Sequence, residues 1–177
     1  MNDVSDPTAH ATGSPPEPRG AYAGWMRRVS AAFFDGLLAI PFAIPGFVLL
    51  ALGPTEAASC TDIDGVASVC DVPTDGTIAA GSALVAVGLL VYLVIHLHLL
   101  GRGATWGRGA LGYRILDART SQPIGTGRAA GRVVASVASA VPCYLGFLWP
   151  LWDAENRTFH DMIVRTRAVR RPSPRRR

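Results

Sequence analysis

Asp35 is the residue of this sequence whose position most suggests chemistry, because it is the only charged residue in the apolar stretch 30–53. An ionised carboxylate near the middle of a membrane helix costs about 2.5–3.5 kcal/mol on insertion scales unless it is paired or hydrated. Arg28 lies seven residues earlier, at nearly the same angle on a helix, but about 10.5 Å away along the axis. We therefore treat Asp35 either as an ion or proton site or as part of an ion pair that fixes helix packing.

Two histidines, His96 and His98, lie near the end of a second apolar stretch, residues 78–101. Side chains two residues apart project about 200° apart on a helix, so these two cannot bind one metal ion, and the sequence predicts no metal site. A histidine that faces the helix bundle can relay protons near neutral pH. We consider His96 a candidate for that role.

The sequence offers no motif for enzymatic chemistry. Residues 107–112 fit the pattern GxGxxG, but an apolar helix precedes them where a dinucleotide site needs a strand. No GxSxG, HExxH, P-loop or CxxC pattern occurs. We expect a protein that is not an enzyme and that needs no cofactor.

The composition favours a membrane protein of one domain. Of 177 residues, 49% are apolar and only 17% are charged, and all 17 basic residues are arginine against 13 acidic ones, giving a net charge of +4. A bilayer core needs about 20 mostly apolar residues per helix, which stretches 30–53 and 78–101 supply. Pro41 and Pro45 predict a kink in the first of them.

Charge asymmetry predicts the orientation of these two helices. The segment 54–77 has five acidic residues and no arginine, whereas 102–132 has six arginines and one aspartate. By the positive-inside rule, 54–77 lies outside and 102–132 lies in the cytoplasm. Arg27 and Arg28, just before the first helix, predict a cytoplasmic N-terminus.

A third apolar stretch, residues 133–152, contains Pro142, Gly146 and Pro150. The chain after it carries eight arginines and three acidic residues, so the positive-inside rule places that tail in the cytoplasm. Three full crossings would place it outside. We therefore favour a broken or re-entrant segment at 133–152, with a third crossing as the alternative.

The segment 54–77 contains Cys60 and Cys70. In an oxidising compartment these two would form a disulfide, and we expect that bond. The alternative is two free thiols.

The end of the chain, residues 171–177, is rich in arginine but has no interleaved aromatic residue, so nucleic-acid binding is not expected. A basic tail next to a membrane is attracted to anionic lipid, by about 1 kcal/mol per arginine near the surface. Alternatively, the basic tail only determines the membrane topology of the protein.

Several short motifs, in this order and spacing, resemble the RDD family of small membrane proteins, named for one arginine and two aspartates. They cover about residues 20 to 170 and comprise 24–35, 105–108, 112–117, Arg128 with Arg132, 147–153 and 158–161. Trp106 and the run 163–165 depart from the pattern of the family.

The resemblance implies a charge network of Arg28, Asp35, Arg132 and Asp161. Asp117, Asp153 and Asp161 can each stand for the second named aspartate, and we choose Asp161. The family is similar to transporters, and sodium/proton exchange has been proposed for some members. No general activity is implied.

The expected fold is therefore an all-α membrane protein with a small cytoplasmic β-hairpin or sheet. Its strands are expected at 111–116 and 163–169, with a further one continuing into Ile124. Residues 1–20 form a disordered cytoplasmic N-terminus, 21–170 the membrane domain and 171–177 the basic tail. Both termini lie in the cytoplasm of a multi-pass protein of the cell membrane.

Two functions of different class remain open. In the first, Asp35 binds a proton or cation, with its pKa adjusted by Arg28, and the protein transports it as a homo-oligomer, since two helices make a thin pore. In the second, the protein is a non-catalytic scaffold or accessory subunit with a membrane partner, and Arg28, Asp35, Arg132 and Asp161 are structural.

Overall fold

The computed structural model describes residues 21–140 and 145–171. Helices and two-stranded antiparallel sheets make up these parts of the chain. In chain order they are α1 (Trp25–Leu37), α2 (Ile40–Leu52), β1 (Thr55–Thr61), β2 (Ala67–Pro73), α3 (Asp75–Gly101), α4 (Trp106–Ala110), β3 (Tyr113–Asp117), α5 (Gly125–Ala140), α6 (Leu145–Leu148), a 3-10 turn (Trp149–Leu151), α7 (Phe159–Ile163) and β4 (Thr166–Arg170). Residues 1–20 and 172–177, which include the expected disordered N-terminus and nearly all of the basic tail, lie outside the described residues.

The first apolar helix begins earlier than expected, at Trp25, and is divided in two. A turn at residues 38–39 separates α1 from α2, and Pro41 occupies the first turn of α2. Proline has no N–H to donate, and its ring clashes with the carbonyl four residues earlier, so the helix is interrupted just before it. Pro45 is accommodated inside α2.

Two segments, Trp25–Leu52 and Asp75–Gly101, are long and apolar enough to cross a membrane. The second starts three residues before the expected boundary, where the Thr74 hydroxyl accepts a hydrogen bond from the backbone N–H of Thr77. This N-cap satisfies one of the donors that have no partner within the helix. The helix therefore begins at a defined residue.

The helices α2 and α3 pack closely because glycines lie at their contact. A Cβ at Gly46 would lie 2.5 Å from the Val85 side chain, and a Cβ at Gly88 would overlap the carbonyl oxygen of Phe42. Small residues at such a contact allow two helix backbones to approach, as in membrane helix pairs. The two helices thus form one hairpin.

Between them, the acidic segment folds as a β-hairpin that we did not predict. β1 and β2 pair from Thr55 with Pro73 to Thr61 with Ala67. Cys60 and Cys70 form a disulfide across this hairpin, with their Cα atoms 6.0 Å apart, so the expected bond is confirmed. The bond closes a short loop at one end of the helix pair.

At the other end of the helix pair lies a second unit, which we call the cap (residues 102–140 and 145–171). Its sheet pairs β3 with β4 antiparallel, so two strands form near the expected positions. Ile124 does not supply a further strand as expected, because only an isolated bridge joins Leu116 to Pro123. Tyr113, Ile115 and Ala168 form the centre of the core.

The start of α1 is attached to the same sheet. The backbone N–H of Ala23 donates to the carbonyl of Ala168 at 2.9 Å, and Tyr22 forms a bridge with Val169. Residues just before the first apolar helix therefore lie beside the last strand.

The third apolar stretch is divided among several elements. α5 starts at Gly125, upstream of the expected boundary, and Pro150 falls in the 3-10 turn after α6. Pro142, expected to interrupt this stretch, lies outside the described residues. Gly101 at the end of α3 meets the backbone of Thr126, where a Cβ would lie 2.7 Å from its nitrogen. α5 is thus packed against the end of the second apolar helix.

Candidate functional site

The carboxylate of Asp161 is fully buried and is held between two arginines. Its Oδ2 accepts from Nη1 of Arg28 at 2.5 Å, and its Oδ1 lies 2.5 Å from Nη2 of Arg132. The side chains of Arg28 and Arg132 are 10% and 6% exposed. One buried negative charge therefore binds two nearly buried positive charges.

The chain folds locally to place this carboxylate. Thr158 is the N-cap of α7, and its hydroxyl accepts from the backbone N–H of Asp161, while Oδ2 of Asp161 accepts from the N–H of Thr158. This reciprocal capping box fixes the aspartate in the first turn of α7. A negative charge is also favoured there by the helix dipole.

Hydrogen bonds around Asp161 and its two arginines join four parts of the chain. Arg132 donates to the hydroxyl of Thr166 at 2.8 Å, and that hydroxyl donates to Asp161 at 3.2 Å. Nε of Arg28 donates to the carbonyl of Ala23 at 3.1 Å. The start of α1, the middle of α5, α7 and the first residue of β4 thus meet at one carboxylate.

The electrostatics of this centre are dominated by burial and by charge pairing. Burial raises the pKa of the Asp161 carboxyl, but Arg132 and Arg28 outweigh it and hold that pKa well below its usual range. Burial lowers the pKa of Arg132 to about 10 against the opposing effect of Asp161. Asp161 and Arg132 therefore both remain charged at neutral pH.

His160, next to Asp161, is buried as well. Its Nδ1 lies 3.0 Å from the hydroxyl of Ser139, which also accepts from the backbone N–H of His160 at 3.1 Å. Gly146 lies against Ser139, so a Cβ there would be 2.6 Å from the Cα of Ser139. Burial and the nearby Arg132 lower the pKa of His160 to about 4, which keeps the ring neutral.

Asp35 forms a second centre, separate from the first. It is 3% exposed and accepts from the Thr105 hydroxyl at 2.5 Å and from the backbone N–H of Gly107 at 2.8 Å. Nη1 of Arg108 lies 4.0 Å away. A Cβ at Gly107 would overlap the carbonyl oxygen of Ala31, so only glycine lets this backbone N–H reach the carboxylate.

Arg28 and Asp35, whose direct contact the spacing of about 10.5 Å along the helix makes doubtful, bind different partners. The two residues lie on one helix, but Arg28 binds Asp161, and Asp35 accepts from Thr105 and Gly107 at the start of α4. A partner from another segment supplies a closer contact than two helical turns allow. Of the four residues in the expected network, the structure brings together Arg28, Arg132 and Asp161.

His96 lies near Asp35 but does not contact its carboxylate. The Tyr92 hydroxyl donates to the backbone carbonyl of Asp35 and lies 3.3 Å from Nδ1 of His96. A proton relay through His96 stays a prediction.

The other two candidate aspartates pair locally. Asp117 binds Arg128, whose side chain is 40% exposed, and Asp153 binds Arg157 four residues later at 3.0 Å. Only Asp161 of the three holds two arginines. Within residues 21–140 and 145–171, no three His, Cys, Asp or Glu side chains are grouped so that they could hold a metal ion.

Sequence reasoning missed the neutral residues of both centres. Thr166 and Ser139 carry no charge and belong to no motif that we used, whereas Thr105 opens the motif 105–108 but was given no role. Thr158 had a usable signal, since Thr158 followed by Asp161 three residues later resembles a capping box.

We predict that Asp161→Ala destabilises the protein more than Asp153→Ala. The first change leaves two nearly buried arginines without their counter-charge, a loss of about 3–5 kcal/mol. The second removes a more exposed pair and two loop hydrogen bonds, a loss of about 1–2 kcal/mol. Thermal unfolding in detergent measures both, and equal melting temperatures would contradict a structural role of the Asp161 centre.

We predict that neutral His160 makes the stability pH-dependent. A histidine has a pKa of about 6.5 when unfolded, so the unfolded chain binds the proton more tightly than the folded one, and stability falls as the pH falls from about 6.5 to 4. His160→Asn should flatten this decline in melting temperature, whereas His98→Asn, at an exposed position, should keep it. The same slope in all three proteins would exclude this role of His160.

Comparison with known proteins places these features in a family. The RDD family model matches residues 22–165. The proline-rich antigen homolog of Mycobacterium tuberculosis is 33% identical over 157 residues, which are 86% of this chain and 65% of that protein. The proline-rich antigen of Mycobacterium leprae is 34% identical over 160 residues, or 84% and 61%.

This chain therefore spans less than two thirds of the length of these curated relatives. No solved structure matches it. Since the matched region takes in both aspartate centres and most of the chain, the protein belongs to the RDD family.

Proposed function

We propose that this protein is a non-catalytic integral membrane scaffold or accessory subunit, whose buried arginines and aspartates fix the cap to two membrane-spanning helices. The observation that carries this proposal is that both carboxylates are buried and that each of their oxygens is bound by a protein donor. Asp161 binds two arginines, and Asp35 accepts from Thr105 and Gly107. A carboxylate so occupied holds structure, whereas a transport site must release and rebind its ion.

The exposed surface of the helices supports the membrane placement. Of the most apolar 18 residues, 17% are buried in Trp25–Leu52 and 6% in Asp75–Gly101. The core helix of a water-soluble protein would bury most of such a segment, whereas a helix that is apolar all round suits a membrane span. Lipid is the solvent that makes this exposure favourable.

The attachment of Ala23 to β4 supports the expected topology. Since residues on both sides of the helix pair join one sheet, the start of α1 and residue 170 lie on one side of the membrane. An even number of crossings follows, with 133–152 returning on the side where it enters. The arginines of the cap support a cytoplasmic position for that side and an outside position for the acidic disulfide hairpin.

Transport of protons or cations by an oligomer is the second candidate. In its favour, the carboxylate of Asp35 is 3% exposed and lies within the first apolar segment, Trp25–Leu52. Ionisable groups inside membrane helices often mark ion pathways. Two spans are too few for a pore within one chain, so this function requires a homo-oligomer or a membrane partner.

The topology is tested with reporter fusions. Green fluorescent protein placed after Arg171 should fluoresce, and alkaline phosphatase inserted at Gly65 of the hairpin should be active, because one site lies inside and the other outside. Phosphatase activity of a fusion after Arg171 would contradict the returning segment. A chain released from membranes by alkaline extraction would contradict membrane insertion.

Flux measurement separates the two functions. Liposomes with purified wild type should show the same proton and sodium flux as protein-free liposomes, because both oxygens of Asp35 are already held by Thr105 and Gly107. Asp35→Asn should lower the melting temperature without altering flux, and Asp71→Asn in the disulfide hairpin should change neither. Wild-type flux that Asp35→Asn removes and Asp71→Asn retains would establish transport and overturn the scaffold proposal.

A further inference from the structure

A cavity of about 650 Å³ lies between α1, the end of α3 and the cap. Its walls come from α1, the last turns of α3, α4, β3, α5, α6 and the start of α7. The volume falls in the range of small-molecule sites, about 300–1,000 Å³. Neither centre described above accounts for it.

Three arginines line this cavity, and no acidic residue of the described chain does so. They are Arg28, Arg108 and Arg132. Behind the walls, Asp161 and Asp35 supply two negative charges against these three positive ones. The cavity therefore keeps an excess of one positive charge.

Arg28 also keeps a donor without a partner. Its Nη1 and Nε are satisfied by Asp161 and Ala23, whereas its buried Nη2 makes no hydrogen bond within the described residues. A buried guanidinium nitrogen left unpaired is costly, and an anion with several acceptor oxygens would satisfy it. Arg108, 15% exposed and 4.0 Å from its aspartate, lines the same space.

Most of the remaining wall is apolar, although His96, Ser136, Thr158 and His160 also line it. Val29 and Phe33 on α1, with Val133 on α5, line the cavity. Val29 and Phe33 are 44% and 62% exposed, so the apolar wall continues onto the outer surface of α1. A small inorganic anion would leave this wall uncovered, and a purely apolar ligand would leave Arg28 unpaired.

We propose that this cavity binds one anionic membrane lipid, with its phosphate at Arg28 and Arg108 and a hydrocarbon chain along Val29 and Phe33. The proposal rests on the membrane placement proposed above. Arg28 lies in the first turn of the first span, so its guanidinium is at the level of lipid head groups. This site is distinct from the basic tail.

The test compares lipid binding by two matched variants of the full chain. Ala32 lines the cavity, so Ala32→Trp fills it without removing a charge. Ala86→Trp adds the same ring at an exposed position of α3 outside the cavity. Both variants keep the basic tail, and so does the wild type.

In phosphatidylcholine nanodiscs, added phosphatidylglycerol should raise the melting temperature of the wild type and of Ala86→Trp but not of Ala32→Trp. Native mass spectrometry should find the lipid retained by the wild type and by Ala86→Trp.

A second variant guards against misfolding of the first. Arg28→Lys keeps a positive charge beside Asp161 but removes the second Nη donor, so phosphatidylglycerol affinity should fall about tenfold or more. Equal stabilisation of the wild type and Ala32→Trp, with unchanged affinity in Arg28→Lys, would overturn the cavity site. Equal stabilisation of the wild type by inorganic phosphate would overturn the lipid as its ligand.

The failure of this proposal is distinguishable from failure of the membrane placement. A chain that resists alkaline extraction but binds phosphatidylglycerol equally in all variants would contradict only the cavity site. A chain released by that extraction would overturn both.

Discussion

The rest of the structure depends on the buried carboxylate of Asp161 between Arg28 and Arg132. Removing three charges from water costs several kcal/mol for each ion, and only close pairing with further hydrogen bonds repays that cost. Arg28 and Asp161 are 133 residues apart in sequence, so the pair forms only when the first helix and the end of the chain have come together. This contact defines how the cap sits on the helix pair.

The two buried aspartates, Asp35 and Asp161, act on different parts of that arrangement. Asp35 takes neutral donors from the N-cap and first turn of α4, and so holds the cap to the last turn of α1. Asp161 takes charged donors and holds it to the start of α1. The two aspartates thus attach the cap at two points along α1, in addition to the backbone hydrogen bond of Ala23 to β4.

The molecule presents two kinds of surface that meet at one level. The helices expose apolar side chains such as Phe47 and Val87, while the cap carries most of the arginines of the described chain. Between them, Arg28 and Arg108 lie where hydrocarbon gives way to head groups in the proposed placement. Long arginine side chains suit this level, because the stem contacts apolar surface and the guanidinium reaches polar groups. The cavity is at this boundary.

The sequence by itself determined the helix pair, the disulfide and the family. Length and hydropathy decide whether a helix can cross a membrane without reference to any other segment, and the order of short motifs along the chain indicates the family. The hairpin of β1 and β2 escaped this reasoning, since its strands alternate little between apolar and polar residues.

The partners of the charged residues were decided only by the tertiary structure. Position on a helix predicts which side a residue faces, but not which distant group will be closest to it. Arg28 and Asp35 share a helix, yet each binds a group from elsewhere, because the cap supplies donors and acceptors at hydrogen-bond distance where their own helix cannot. Such contacts depend on how segments far apart in sequence pack together, and a single sequence carries no direct record of that packing.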